Sequence, residues 1–224
     1  MKLGSQDIIL KLGSADVKKA YLGTTEVYSS NILPTGYTQL QYVSSAENGG
    51  WVDTGILPSD TLGFKTRFKT QTVNPRDVSL MGARETTGNT RYTLAIYNGT
   101  VALAWLTWPS NMVTISANTW YEMLGNWNNS RTYVVNNASR AISGTQGTFT
   151  KTIQIFGANF ASGHQSAKEC SFERITFSLG EGNNIVADMI PCIDPNNEVG
   201  FYDIVRERFF GSGNGIALIA GPTA

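Results

Sequence analysis

Hydrophobic and polar residues alternate along much of the chain, most cleanly in Phe64-Lys-Thr-Arg-Phe-Lys-Thr70. There Phe64, Thr66 and Phe68 fall on one face and Lys65, Arg67 and Lys69 on the other, the two-residue period of a strand. One apolar and one polar face is the pattern of an antiparallel strand lying between a core and water. Residues 91–97 and 101–106 are predicted strands joined through Asn98-Gly99, a dipeptide suited to a two-residue hairpin turn because both turn positions need positive φ. Further strands are predicted over 120–124, 132–135, 152–156, 172–179 and 185–190, with turn residues between them. No window sustains a helical period, and no strand pattern alternates with a helical one. The chain is predicted to be all-β.

The first thirty residues carry a different signal. Leu3-Gly-Ser-Gln-Asp-Ile8 recurs as Leu12-Gly-Ser-Ala-Asp-Val17 and again as Leu22-Gly-Thr-Thr-Glu-Val27. Each copy reads as the end of one strand, a Gly-Ser/Thr turn and the start of the next, with an acidic residue beside the turn. The expected product is a short N-terminal β-meander of three or four strands. About thirty residues cannot bury enough surface to be stable alone. Ile8, Leu10, Leu12, Leu22 and Val27 are therefore candidate assembly contacts, to be covered by the main domain, a sister subunit or a larger particle. The competing reading makes these residues the first strands of the main sheet. Pro34 and Gly36 punctuate the chain after the repeat, which suggests an arm over 1–30, a linker over 31–36 and one β-sandwich domain over 37–224.

Composition supports one large core, since 41% of the 224 residues are hydrophobic and 11% aromatic. Charged residues are 15%, with 17 basic against 17 acidic, which argues against nucleic acid or an anionic membrane surface as the partner. No apolar run follows Lys2, so no signal peptide is expected, and no stretch approaches the roughly 18 apolar residues of a membrane span. Cys170 and Cys192 have no metal-type spacing and read as buried free thiols, a single disulfide being the other reading. Sequons at Asn98, Asn128 and Asn137 are read as accidents of an Asn- and Thr-rich composition.

Several stretches match a known pattern. Leu33-Pro-Thr-Gly-Tyr-Thr-Gln-Leu-Gln-Tyr-Val43 with Trp51-Val-Asp-Thr-Gly-Ile56 resembles the opening of concanavalin A-like (LamG-like) jelly-roll β-sandwiches in phage virion proteins and gut-bacterial surface proteins. Asn118-Thr-Trp-Tyr-Glu122 and Ile153-Gln-Ile-Phe-Gly157 resemble two inner strands of that family. The C-terminal runs Ala187-Asp-Met-Ile-Pro-Cys-Ile-Asp194, Glu198-Val-Gly-Phe-Tyr-Asp-Ile-Val205 and Phe209-Phe-Gly-Ser-Gly-Asn-Gly215 are the most specific. The N-terminal repeat is similar to arms preceding such domains in phage structural proteins. The resemblance implies a non-enzymatic virion component, of the head-fibre, capsid-decorating or tail-fibre kind, assembled in the host cytoplasm. Its partners would be a capsid or other virion protein through the arm, sister copies in a homo-oligomer with a trimer favoured, and a host-surface glycan. A bacterial surface carbohydrate-binding module is the alternative, and a glycoside hydrolase the third reading. These motifs close turns and fill cores, so they bear on fold more than on function.

The residues offer little chemistry. Laminarinase-type relatives carry Glu-x-Asp-x-x-Glu on one strand, and this chain has no such motif. Glu169 and Glu173 are four apart, but Lys168 and Arg174 beside them suggest an ordinary charged strand edge. The one histidine, His164, reads as part of a polar loop, and zinc would lack ligands. No cofactor is expected. Calcium is left open by the oxygens of Asp194-Pro-Asn-Asn-Glu198, which read better as a plain turn. Sugars stack on aromatic faces, and Tyr97, Trp105, Trp108 and Trp127, near strand ends and loops, are the candidate glycan contacts. For each tryptophan the competing reading is a core or interface residue.

Overall fold

The computed structural model describes residues 33–224 except 47, 74–77, 86–89, 106–111, 143–146, 161–162, 167–168 and 182–183. Within 1–32, and for 164–166, the description covers strand backbone. Two compact units divide the chain, Met1–Tyr37 and Thr38–Ala224.

In the first unit the sequence repeat is a structural repeat. Lys2–Leu3 pairs with Gln6–Asp7, Lys11–Leu12 with Ala15–Asp16, and Lys19–Leu22 with Thr25–Ser29, all antiparallel. The register recurs: Leu3 faces Gln6, Leu12 faces Ala15 and Leu22 faces Thr25, each pair closing a two-residue link that begins with glycine. One step outward, Lys2 faces Asp7, Lys11 faces Asp16 and Tyr21 faces Glu26. Among the described residues the strands pair within each copy, giving three hairpins. Pairing within a copy closes the shortest loop, which carries the smallest closure entropy. Ile8 and Leu10 lie outside the described residues, as do the side chains of Leu12, Leu22 and Val27.

The second unit is almost entirely antiparallel β, arranged as two large sheets packed face to face. The first sheet runs in the order Ala138–Ala141, Thr132–Val135, Tyr121–Gly125, Leu62–Thr70, Ile175–Leu179, Asn184–Ile193, Val199–Asp203, Arg208–Phe210. Cys170–Phe172 also pairs with Leu62–Thr70, and it carries Val43–Ser45 and then Ile219–Ala220 on its other side. The second sheet runs Val113–Thr114, Thr100–Trp105, Arg91–Tyr97, Val78–Arg84, Gln154–Ile155, Val52–Asp53.

Local chemistry accounts for several of these elements. The hairpin at Asn98-Gly99 forms as expected, with φ of 48° and 79° and Tyr97 facing Thr100. The strand expected over 172–179 is two strands, interrupted at Glu173 and Arg174. The strand expected over 185–190 extends to Ile193 through Pro191. Its flank there passes from Ile175, opposite Met189, to Gln39, opposite Cys192, so the missing N–H of proline falls at a seam. After Ile155 the chain turns back at Phe156, where φ is 65°, and Gly157–Phe160 runs parallel to the same Val78–Arg84 strand that Gln154–Ile155 pairs antiparallel. His164, expected in a loop, lies in the strand Gly163–Ser166 opposite Asn159, because this reversal extends the sheet edge.

Inward-facing rings from both sheets form the core. Phe64 meets Tyr92 at 6.2 Å between ring centroids, and Phe156 meets Phe172 at 5.6 Å and Phe201 at 6.2 Å. Each fully buried ring contributes roughly 1.5–3 kcal/mol. That contribution offsets the left-handed backbone of Phe156, a strain of about 1–3 kcal/mol. Gly125 permits a close approach, since a Cβ there would stand 2.2 Å from Phe64 Cε1. Cys170 and Cys192 are free and buried, as the sequence suggested. Burial pushes the Cys170 thiol well above its ordinary value and the Cys192 thiol up to about 12, against a hydrogen bond from the Tyr202 backbone.

Candidate functional site

The outward residues of Leu62–Thr70 are Lys65, Arg67 and Lys69, and the neighbouring strands set their surroundings row by row. Glu122 faces Arg67 on one side and Thr176 faces Lys65 on the other. Ser171 faces Lys69, and Ser44 lies beyond it, the two hydroxyls 2.8 Å apart. A groove of about 370 Å³ runs over this face between Lys65, Arg67, Glu122, Glu173 and Arg174. Its charges are tied to one another. Arg67 Nη1 donates to both oxygens of Glu173 at 2.8 and 3.1 Å, Lys65 stands 3.9 Å from Glu122, and Arg174 makes a two-pronged pair with Asp188. Exposed pairs of this kind are worth about 0.2–1 kcal/mol each, so they organise the face more than they stabilise the fold. Glu122 and Glu173 flank Arg67 on its two sides, which sets their backbones about 10 Å apart with a cation between them.

Beyond Arg67 stands an aromatic pair. Tyr42 and Trp120, both half-buried, lie 5.3 Å apart at centroids with planes inclined by 56°. The Lys69 ammonium sits 5.1 Å from the Tyr42 ring and 5.0 Å from the Trp120 ring, completing a near-equilateral triangle. Arg67 reaches Trp120 at 5.7 Å. The position of each member follows from the strands. Trp120 immediately precedes Tyr121–Gly125, two residues from Glu122 on the same face. Tyr42 immediately precedes Val43–Ser45, where Gly221 donates its N–H to the Tyr42 carbonyl at 3.0 Å. Any Cβ at Gly221 would stand 2.7 Å from the Tyr42 ring, so glycine lets the C-terminal strand back this tyrosine.

Among the described residues, the aromatic residues singled out from sequence do not converge. Trp105 is 1% exposed, packed against Tyr92 at 6.1 Å and under the Arg131 guanidinium at 4.9 Å. Its assignment as a glycan contact is corrected: a ring enclosed on both sides presents no face to a sugar. Tyr97 is half-buried at the opposite end of the same hairpin, five residues along from Tyr92, which Trp105 faces; that is about 17 Å. Trp127 is half-buried in a turn whose Asn126, Asn128, Asn129 and Arg131 all have positive φ. Asn126 holds that turn, donating to the Asp60 and Leu62 carbonyls and accepting from the Arg131 N–H. Trp108 lies outside the described residues. Asp194, considered for calcium, accepts from the N–H groups of Asn196 and Glu198 at 2.9 and 2.7 Å, the geometry of a self-closed turn. Among the described residues, no three His, Cys, Asp or Glu side chains converge as metal ligands would. Nor is any helix among them long and apolar enough to cross a membrane.

Tyr42 and Lys69 were missed because one precedes and the other lies in an ordinary-looking strand. The available signal was Trp120, a large ring on the polar side of a predicted strand, which reads as an exposed aromatic once the face is assigned. No protein-family model matches the chain, and no curated protein matches it.

Proposed function

We propose that this protein is a non-enzymatic phage virion component, a head-fibre, capsid-decorating or tail-fibre subunit, whose concanavalin A-like (LamG-like) jelly-roll sandwich adheres to host-surface glycans. One observation carries the reading: the described residues of the first compact unit form three hairpins in the same register. Among the described residues each hairpin is a sheet of two strands, and strand edges of this kind can pair with another chain. Attachment would proceed by β-augmentation onto a capsid or fibre protein, and a symmetric homo-oligomer, a trimer by preference, would bring several arms together.

The test compares full-length protein with a variant lacking residues 1–37, and with the full chain carrying Leu12→Pro and Leu22→Pro. Light scattering reads oligomeric mass, and co-sedimentation with particles lacking this protein reads attachment. Loss of both in a still-folded protein is expected. Unchanged mass and unchanged attachment in both variants would remove the arm from the reading.

The second reading, a bacterial surface carbohydrate-binding module, is favoured by the Tyr42, Trp120 and Lys69 triangle, which suits a sugar whatever carries the domain. Neither reading includes turnover. Incubation with β-glucans, galactans and capsular polysaccharides should release no reducing ends, and release abolished by one Glu→Gln change would establish an enzyme instead.

A further inference from the structure

Polar groups on the outer face of the first sheet are almost all engaged with protein partners. Arg67 holds Glu173, Ser44 holds Ser171, and Asn136 Oδ1 accepts the Glu122 N–H. Against that background three groups stand out within one 5 Å triangle. The Lys69 ammonium, the Trp120 Nε1–H and the Tyr42 hydroxyl have no hydrogen-bond partner among the described residues. Lys65, Arg67 and Arg174 each have a carboxylate within ion-pair distance, and Lys69 has none among the described residues. The cation is held instead by two ring faces, an attraction worth about 0.5–1 kcal/mol at exposed sites. Such contacts fix the ammonium in place while leaving its N–H groups without acceptors.

From this geometry we infer that Tyr42, Trp120 and Lys69 form a subsite for a carboxylated sugar, a uronic or sialic acid residue. The inference rests on the glycan-adhesion reading and names the class of sugar. The indole offers an apolar face to the C–H side of a pyranose. Lys69 supplies a charge-assisted donor to the carboxylate, and Trp120 Nε1 and Tyr42 Oη meet ring hydroxyls. A neutral sugar would leave the ammonium without a counter-charge. An acidic peptide would satisfy the ammonium and leave the rings without a stacking partner.

The experiment uses the full chain and titrates it, by calorimetry and tryptophan fluorescence, with oligomers of galacturonic, glucuronic, mannuronic and sialic acid. Methyl-esterified forms of the same oligomers remove the charge and keep the ring. Dextran sulfate and poly-glutamate separate carboxylate from sulfate, and sugar from peptide. At least one acidic oligomer should bind, about tenfold more tightly than its methyl ester. Lys69→Gln should erase that difference, Lys69→Arg should retain it, and Trp120→Phe should weaken both forms, all with unchanged melting curves. The inference is overturned by equal binding of ester and acid, by Lys69→Gln binding like the parent, by poly-glutamate or dextran sulfate binding as tightly, or by no binding across the panel. A glycan bound independently of Lys69 and Trp120 would sink this subsite and leave adhesion standing. Loss of particle attachment bears on the arm alone.

Discussion

Replacing Asp203 with alanine tests how far one buried carboxylate holds the first sheet to its rim. Asp203 ends the strand Val199–Asp203 and is 0% exposed. Its Oδ1 accepts from the N–H groups of Asp188, Val205 and Arg206 at 3.0, 2.9 and 3.4 Å. Oδ2 takes Nε of Arg206, and the same guanidinium donates through Nη1 to the Thr54 carbonyl at 2.6 Å. Alanine therefore leaves a cation without its counter-charge and the Asp188 N–H without an acceptor. Breaking one partner of such a pair costs about 3–5 kcal/mol, of which an unpaired buried N–H accounts for about 1–3. Urea unfolding followed by tryptophan fluorescence is suited to the measurement, since all five tryptophans fall within the second unit. With an m-value of about 2.5 kcal/mol/M, a loss of about 4 kcal/mol lowers the midpoint by about 1.6 M. Asn at this position keeps an acceptor for the backbone groups but sets an amide against Arg206, so about half the loss is expected. A midpoint shift below about 0.4 M at constant m, equal to about 1 kcal/mol, would refute the reasoning.

Gly125→Ala forces a Cβ to within 2.2 Å of Phe64 Cε1, inside the core, and should cost about 1–3 kcal/mol; an unchanged thermal melt would contradict the packing described. The Cys170 thiol is raised by burial above its ordinary value of 9.0, so its contribution to stability is intact below pH 9. It declines above that pH by about 1.4 kcal/mol per pH unit, because the unfolded chain loses the proton first. Urea titrations at pH 8, 9 and 10 should show a shallower alkaline decline for Cys170→Ala than for the parent, and equal slopes would refute this. Both thiols should label slowly with a thiol reagent in the native protein and rapidly in denaturant.

Much of the fold was legible because short-range signals carried it. Asn98-Gly99 specifies its hairpin through two backbone angles, and the alternation over residues 64–69 specifies which face is wet. Legibility failed where long-range pairing decides the outcome. The interruption at Glu173 and Arg174 exists because one long strand, Leu62–Thr70, pairs with two shorter ones end to end. Phe156 reverses the chain through a left-handed conformation that disfavours a bulky side chain, and core contacts with Phe172 and Phe201 offset its strain. The second sheet hides its period for a related reason. Residues 91–96 are buried on both faces, so Thr93 and Ala95 opposite Tyr92 and Leu94 show no exposed alternate positions.

The candidate site illustrates why a list of aromatic residues near loops is a weak guide to binding. Trp105 closes a strand in the sequence yet is enclosed, because the strand end lies beneath Arg131 from a turn twenty-six residues further along. Trp120 sits beside a strand start that looks equally ordinary, and its neighbours Tyr42 and Lys69 come from segments remote in the chain. What distinguishes the two tryptophans is exposure: each ring has a cation over it, but Trp105 is 1% exposed beneath Arg131, whereas Trp120 is half-buried beside Lys69 and Tyr42. Burying a charge without a partner is costly, and leaving donors together at a half-buried surface is tolerated when water or a ligand accepts from them. Among the described residues the outer face pairs Lys65, Arg67 and Arg174 with carboxylates and leaves Lys69 between two rings, a polarity that the carboxylated sugar proposed above would complement.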